Sequence, residues 1–194
     1  MVGRVLHNLS GGVDSAFVAW DWLRQHPERL LIHHCHLVTK QKRTPKEAEA
    51  VTAILAWLRR EGLDHFDFVE STFDYGTIGT GVYDIEVIGF ISSVILRGRR
   101  YKDVDTILVP ASANDMRLNK ISERQERRKA LVELMNPGKR VRFVYPIEHL
   151  EKRELLRTMP QELRGLTWSC RRPKNGEPCG KCHACRSVKA LSTA

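Results

Sequence analysis

Apolar positions along the chain follow two patterns, short runs of strand character and longer stretches with a helical period. Residues 4–9 and Leu30–Val38 read as strands, the second interrupted by His33, His34 and His36. Between them Val18, Ala19, Trp22 and Leu23 mark an amphipathic helix. Pro45 opens a helix that runs to residue 60, with Ala48, Val51, Ile54, Leu55 and Leu58 at helical spacing and Gly62 as its stop. Residues 66–69 form a short third strand, 71–81 a loop rich in Thr and Gly, and 85–96 an apolar helix. A buried strand at 106–110, a charged helix at 122–135 and a last strand at 141–145 complete the pattern. Strands alternating with helices predict an α/β fold, a doubly wound, Rossmann-like parallel sheet. Ligands of such sheets bind beyond the C-terminal strand ends, where residues 10–15, 38–43 and 111–120 converge.

The length of 194 residues and 42% hydrophobic content suit one sizeable core. The expected division is an α/β domain at 1–166 and a metal-binding tail at 167–194 packed on it. A formal charge of +9 directs the chain toward anionic partners and leaves room for a nucleic acid or an acidic protein, although no RNA-binding motif with interleaved aromatics is visible. Most of residues 123–129, where opposite charges alternate at i, i+3 and i+4, read as a solvated helix face. There is no charged-then-apolar leader at the start and no run long enough to cross a membrane, so a cytoplasmic protein without a membrane partner is expected.

Four of the five cysteines, Cys170, Cys179, Cys182 and Cys185, stand as C-x8-C-x2-C-x2-C. Four thiolates satisfy a tetrahedral Zn2+, and the Gly of Cys179-Gly180-Lys181-Cys182 lets backbone N–H groups turn toward sulfur. Two disulfides are the rival reading and need an oxidising compartment. Cys35 reads as a buried core residue. His34 and His36 share a strand face, but with no nearby carboxylate to complete a set they read as partly buried strand histidines.

At the other end, Leu9-Ser10-Gly11-Gly12-Val13-Asp14-Ser15 joins a strand to a helix start, an arrangement that aims backbone N–H groups at a phosphate. It lacks the Lys of a Walker loop and the third Gly of a dinucleotide fingerprint. Ser10 and Ser15 offer hydroxyls, and Asp14 an oxygen ligand for Mg2+. The plain alternative is a turn with Asp14 or Ser15 as helix cap.

Ser10-Gly11-Gly12-Val13-Asp14-Ser15 resembles the SGGxDS pyrophosphate loop of the N-type ATP pyrophosphatases. Together with Thr167-Trp168-Ser169-Cys170 and the Cys179–Cys185 array it resembles the 7-cyano-7-deazaguanine synthase (QueC) family. Gln41 and Arg43 fall at that family's basic segment after the second strand, and Pro146 followed by Lys152-x-Glu154 at its late strand and helix start. Two segments depart. Tyr83-Asp84-Ile85-Glu86 replaces a Pro-Gly-Arg-Asn stretch, and residues 114–120 replace the substrate loop. The resemblance implies an ATP-dependent ligase that adenylates a carboxylate, 7-carboxy-7-deazaguanine, and reacts it with ammonia to give the amide and then the nitrile. ATP, Mg2+ and Zn2+ would be its cofactors, Ser10, Asp14 and Ser15 its catalytic groups, and a homodimer is possible. Asp115, Arg117 and Lys120 are candidates to contact the acid. Trp168 either stacks on a planar heterocycle or packs the knuckle on the domain. A different amine acceptor, a tRNA-modifying enzyme and a catalytically silent zinc module that binds nucleotide or nucleic acid remain alternatives.

Overall fold

In the computed structural model, residues 3–77, 83–117 and 119–192 are described, except for the side chains of 119–122 and 189–192. The first strand, β1 (Arg4–Asn8), is followed by α1 (Val13–Gln25), β2 (Leu30–Val38), α2 (Thr44–Arg60), β3 (Phe66–Asp74) and α3 (Asp84–Arg97). After a 3-10 turn come β4 (Val104–Leu108), a short α4 (Ala113–Met116), α5 (Asn119–Met135), β5 (Arg142–Val144), α6 (Lys152–Thr158), α7 (Gln161–Gly165) and α8 (His183–Ser192). The strands are all parallel in the order β3-β2-β1-β4-β5. Strand order reverses between β1 and β4, so the crevice at their C-terminal ends is flanked by the start of α1 on one side and by α4 and α5 on the other.

Alternation along the strands divides the core. Leu30, Ile32 and Leu108 pack with α1 and α2, whereas Leu6, Leu31 and Ile107 pack with Leu96 of α3 and Val132 of α5. Because helices cover both faces, the first six residues of β2 are buried, histidines included. No helix among the described residues is long and apolar enough to cross a membrane.

Two expectations need correction. Residues 71–74, read as loop, extend β3, because each pairs with β2 out to Val38↔Asp74. The last β1–β2 pairing is Asn8↔His33, so β2 and β3 continue as a two-stranded wall above the edge of β1. That wall is covered by Val87, Ile88 and Ile91 of α3. Residues 78–82, the end of the expected loop, lie outside the described residues. The strand expected at 106–110 is shifted to Val104–Leu108, paired with β1 from Arg4↔Val104 to His7↔Leu108 with a register shift after Arg4. Within the charged stretch 123–129, Gln125 and Arg128 are buried. They lie seven and four residues before core residue Val132 and share its inward face.

A partly buried polar layer crosses the sheet just below its C-terminal edge. The Ser71 hydroxyl donates to His33 Nε2 at 2.9 Å, His33 Nδ1–H to Asn8 Oδ1 at 2.9 Å, and Asn8 Nδ2–H to Ser92 Oγ at 3.1 Å. His7 donates Nε2–H to the carbonyl of Ser15 at 2.8 Å, fixing the first turn of α1 to β1. Burial lowers the pKa of both His7 and His33 to about 4. A folded-state value below the unfolded one means that unfolding takes up protons, so stability falls as pH drops from the ordinary histidine range toward 4. Each histidine contributes on the order of 3 kcal/mol across that window. Urea midpoints should therefore fall steeply between neutral and mildly acidic pH, and His7→Gln should flatten the profile; an unchanged profile in that variant would remove His7 from this account.

Candidate functional site

Buried Leu9 extends the β1 ladder by donating its N–H to His33 O at 2.8 Å, and the chain then turns through Ser10-Gly11-Gly12 into α1. The turn closes on its own hydroxyls. Ser10 N–H donates to Ser15 Oγ at 3.1 Å, the two hydroxyls lie 3.0 Å apart, and Ser15 Oγ–H donates to Gly12 O at 3.0 Å. The N-cap of α1 is Gly12, and no side chain caps the helix, which overturns the plain alternative of an Asp14 or Ser15 cap. First-turn N–H groups are thereby left for an external anion.

The two glycines serve different ends. Gly11 has φ +81, and a Cβ there would stand 2.9 Å from the Glu47 carbonyl and 3.2 Å from Ala50 Cβ, so the fold itself requires glycine. Gly12 has φ −80 and ψ 162, and a Cβ there would meet only Ser10 Oγ at 3.4 Å and Trp168 O at 3.8 Å. Nothing in the chain forbids a side chain at Gly12, so the bare surface there matters to whatever docks in the loop.

Asp14 points across the crevice to α6, where Lys152 Nζ donates to its Oδ2 at 2.5 Å. Its Oδ1 is sealed from solvent without a partner. Burial raises the Asp14 pKa, against the pull of the Lys152 charge. A half-buried carboxylate with one sealed, unpartnered oxygen suits an oxygen-seeking cation such as Mg2+. Lys152 was absent from the candidate residues; its only signal was the Lys-x-Glu at the helix start.

The candidates for acid recognition already have partners in the chain. Asp115 Oδ2 accepts from the backbone N–H and hydroxyl of Ser112 at 3.2 and 2.8 Å, which caps α4. Exposed Arg117 pairs with Glu151, and Asn114 Oδ1 accepts from Lys152 N–H at 2.7 Å, so α4 is stitched to the start of α6. The Lys120 side chain lies outside the described residues.

The tail meets the loop directly. Trp168 N–H donates to Gly11 O at 2.8 Å, and its indole N–H to Cys170 O at 2.8 Å, so the backbone and ring together tie the cysteine segment to the loop. Beyond Cys170 the chain turns at Asn175 and Gly176, then at Gly180, all with positive φ. This folding brings the Sγ atoms of Cys170, Cys179, Cys182 and Cys185 within 4.8 Å of one another, with Cys185 carried on the first turn of α8. No disulfide joins the five cysteines, and four sulfurs gathered around one point favour a single metal over two S–S pairs. Amide N–H groups face the sulfurs: Cys179 N–H donates to Cys170 Sγ at 3.2 Å and Cys182 N–H to Cys179 Sγ at 3.4 Å. Burial opposes ionisation of Cys182, but the amides of Arg171 and Cys185 overcome it and bring its pKa to about 6, while burial and its thiol neighbours push Cys185 to about 12. The donor set and spacing fit one metal ion bound by thiolates.

The departing segment at 83–86 has a role of its own. Asp84 accepts from Arg43 at 2.7 Å, from Tyr75 OH at 2.9 Å and from Arg171 of the tail at 3.0 Å, while Arg43 also pairs with Glu47 at 3.0 Å. Burial alone would raise the Asp84 pKa, but Arg43 and Arg171 bring it below the ordinary value. This network joins α2, α3 and the tail beside Gly11. Elsewhere, His36 does have a carboxylate nearby, Glu70 at 3.1 Å. Even so, the cysteines form the one metal-type cluster among the described residues.

The parallel sheet, the phosphate-type loop at its switch point and the four-cysteine tail define the class, an α/β protein of the ATP pyrophosphatase fold. Comparisons agree. A family model described as "Queuosine biosynthesis protein QueC" matches residues 115–192. The structure of the U34-tRNA thiolase NcsA from Methanococcus maripaludis, with its [4Fe-4S] cluster, superposes with a TM-score of 0.53 at 18% identity. That match covers 98% of this chain but 63% of the thiolase chain. No curated protein matches by sequence. The chain thus shares the fold of that thiolase, and its C-terminal part is similar to the QueC family.

Proposed function

We propose that this protein is an ATP-dependent ligase that adenylates a carboxylate, 7-carboxy-7-deazaguanine, and passes it to ammonia to form the amide and then 7-cyano-7-deazaguanine. The observation that carries the reading is the 2.8 Å bond from Trp168 N–H to Gly11 O, which joins a phosphate-type loop to a QueC-type cysteine tail at one edge of the sheet.

A carboxylate resists amines because oxide is a poor leaving group. One of its oxygens attacks the α-phosphorus of ATP, and the bond to pyrophosphate breaks. The N–H groups at the start of α1 and the hydroxyls of Ser10 and Ser15 take up the charge on the departing pyrophosphate, most strongly in the transition state. Ammonia then adds to the acyl carbon, loses a proton, and AMP leaves with the former carboxylate oxygen. Activation of the amide oxygen by a second ATP, followed by loss of AMP and the nitrogen-bound protons, gives the nitrile. Mg2+ held at Asp14 would neutralise phosphate charge, and Lys152 keeps that carboxylate oriented.

Zn2+ is the metal proposed for Cys170, Cys179, Cys182 and Cys185. Around a single ion with Zn–S bonds of about 2.3 Å, tetrahedral sulfurs stand roughly 3.8 Å apart. The 4.0 Å between Cys179 and Cys185 Sγ lies near that value, whereas a four-iron cluster would hold its cysteines on separate corners of an iron–sulfide cube. Sulfur transfer of the thiolase type is disfavoured, because Cys35, the remaining cysteine, is buried. Asp14→Asn should lower turnover by roughly 100-fold at unchanged melting temperature. Exchange of labelled pyrophosphate into ATP tests the adenylation itself; it should require the acid and not ammonia, and exchange that ignores the acid would refute it.

A further inference from the structure

Arg128 is the most anomalous side chain among the described residues. It lies on the inward face of α5, 4% exposed, with Nε and Nη2 both buried and without hydrogen-bond partners. No carboxylate pairs with it among the described residues; its guanidinium lies 5.8 Å from the Phe143 ring centroid, a weak contact for a buried charge. Arginine does not escape burial by losing its proton at neutral pH, so an uncompensated guanidinium is a standing cost to the fold. A second cost accompanies it. Gly89 sits mid-helix in α3, where glycine is unfavourable, and a Cβ there would come within 3.0 Å of Arg128 Cγ. The helix gives up a side chain so that the arginine stem can pass.

The guanidinium is at the functional edge. Its charge acts on His7, the penultimate residue of β1 that holds the start of α1, and it interacts with Tyr145, the first residue after β5. Gly89 of α3 against its stem and Phe143 of β5 beside its guanidinium place it between α3, α5 and β5, on the β4–β5 side of the crevice. The neighbouring partly buried layer of Asn8, His33, Ser71 and Ser92 satisfies itself and supplies no negative charge.

We propose that Arg128 receives the carboxylate of the acid substrate, forming a buried anion subsite opposite the nucleotide loop. The proposal rests on the reading of the protein as an enzyme acting on a carboxylate, but on no particular ring attached to it. A guanidinium presents parallel N–H donors that match a carboxylate, and the two groups neutralise each other once water is excluded. It also supplies the cation that the paired Arg117 does not.

Thermal melting at fixed ionic strength tests this with benzoate, a planar carboxylate without a deazaguanine ring, and separately with inorganic pyrophosphate. Benzoate should raise the wild-type melting temperature. Arg128→Met, relieved of its buried charge, should melt no lower than wild type without ligand, lose the benzoate shift and keep the pyrophosphate shift. Gly89→Ala, which crowds the stem and leaves the charge, should reduce the benzoate shift, so the test stands even if the first variant folds poorly. A benzoate shift retained in Arg128→Met, or absent from the wild type, would overturn the proposal. So would loss of the pyrophosphate shift alone, which would assign the guanidinium to the nucleotide. No ATP or deazaguanine is present, so failure here is distinct from failure of the ligase reading.

Discussion

Gly12→Val is expected to fold and melt like the wild type while losing ATP-dependent pyrophosphate release by roughly 100-fold or more, the scale of removing donors from an anion site. The backbone at Gly12 is extended and the nearest heavy atoms to a new Cβ are 3.4 and 3.8 Å away, so the fold leaves room for a Cβ. The branch would instead occupy the space from which a phosphate approaches the first turn of α1. Gly11→Ala is the control with the opposite signature. At φ +81 and 2.9 Å from the Glu47 carbonyl, even one methyl forces the loop and α2 apart, and stability should drop by about 1–3 kcal/mol. Melting curves together with pyrophosphate release separate the two; a destabilised Gly12→Val with proportionate activity would show that the loop is a structural turn.

Cys182→Ala is expected to remove the metal, loosen the tail and depress activity together. With one of four thiolates gone, the ion loses a bond that contributes folding energy to a segment with few apolar contacts of its own. Loss of order at the tail withdraws Trp168 from Gly11 and Arg171 from Asp84, and so reaches the nucleotide loop although Cys182 touches no nucleotide-loop residue through a hydrogen bond. Metal content should fall from one equivalent to near zero, proteolysis should clip the chain after residue 166, and the sheet's circular dichroism should persist. Cys35→Ala should keep its metal. Full metal occupancy in Cys182→Ala would break the link between cluster and tail.

Much of this was legible in the sequence because the signals are local. The apolar run of β2, the period of α2 with Pro45 and Gly62 at its ends, the glycine loop and the cysteine spacing each announce themselves within a few residues. The illegible parts depend on distant partners. Residues 71–74 become strand because β2 needs an edge partner as long as itself. Lys152 meets Asp14 across 138 positions, and the Lys-x-Glu at its helix start says nothing of that partner. Arg128 was hidden in an alternating charged stretch, where burial depends on where Val132 points. Asp84 looked like a departure from a family motif, and only the fold reveals its bonds to two arginines and a tyrosine.

The most direct test of the central claim is mass spectrometry of the acid after incubation with the metal-loaded protein, ATP, Mg2+ and ammonium. The account predicts that 7-carboxy-7-deazaguanine is converted to its amide and then to the nitrile, with AMP and pyrophosphate formed in step and no conversion by Gly12→Val. An acid recovered unchanged while ATP is consumed, or converted equally well by Gly12→Val, would contradict it.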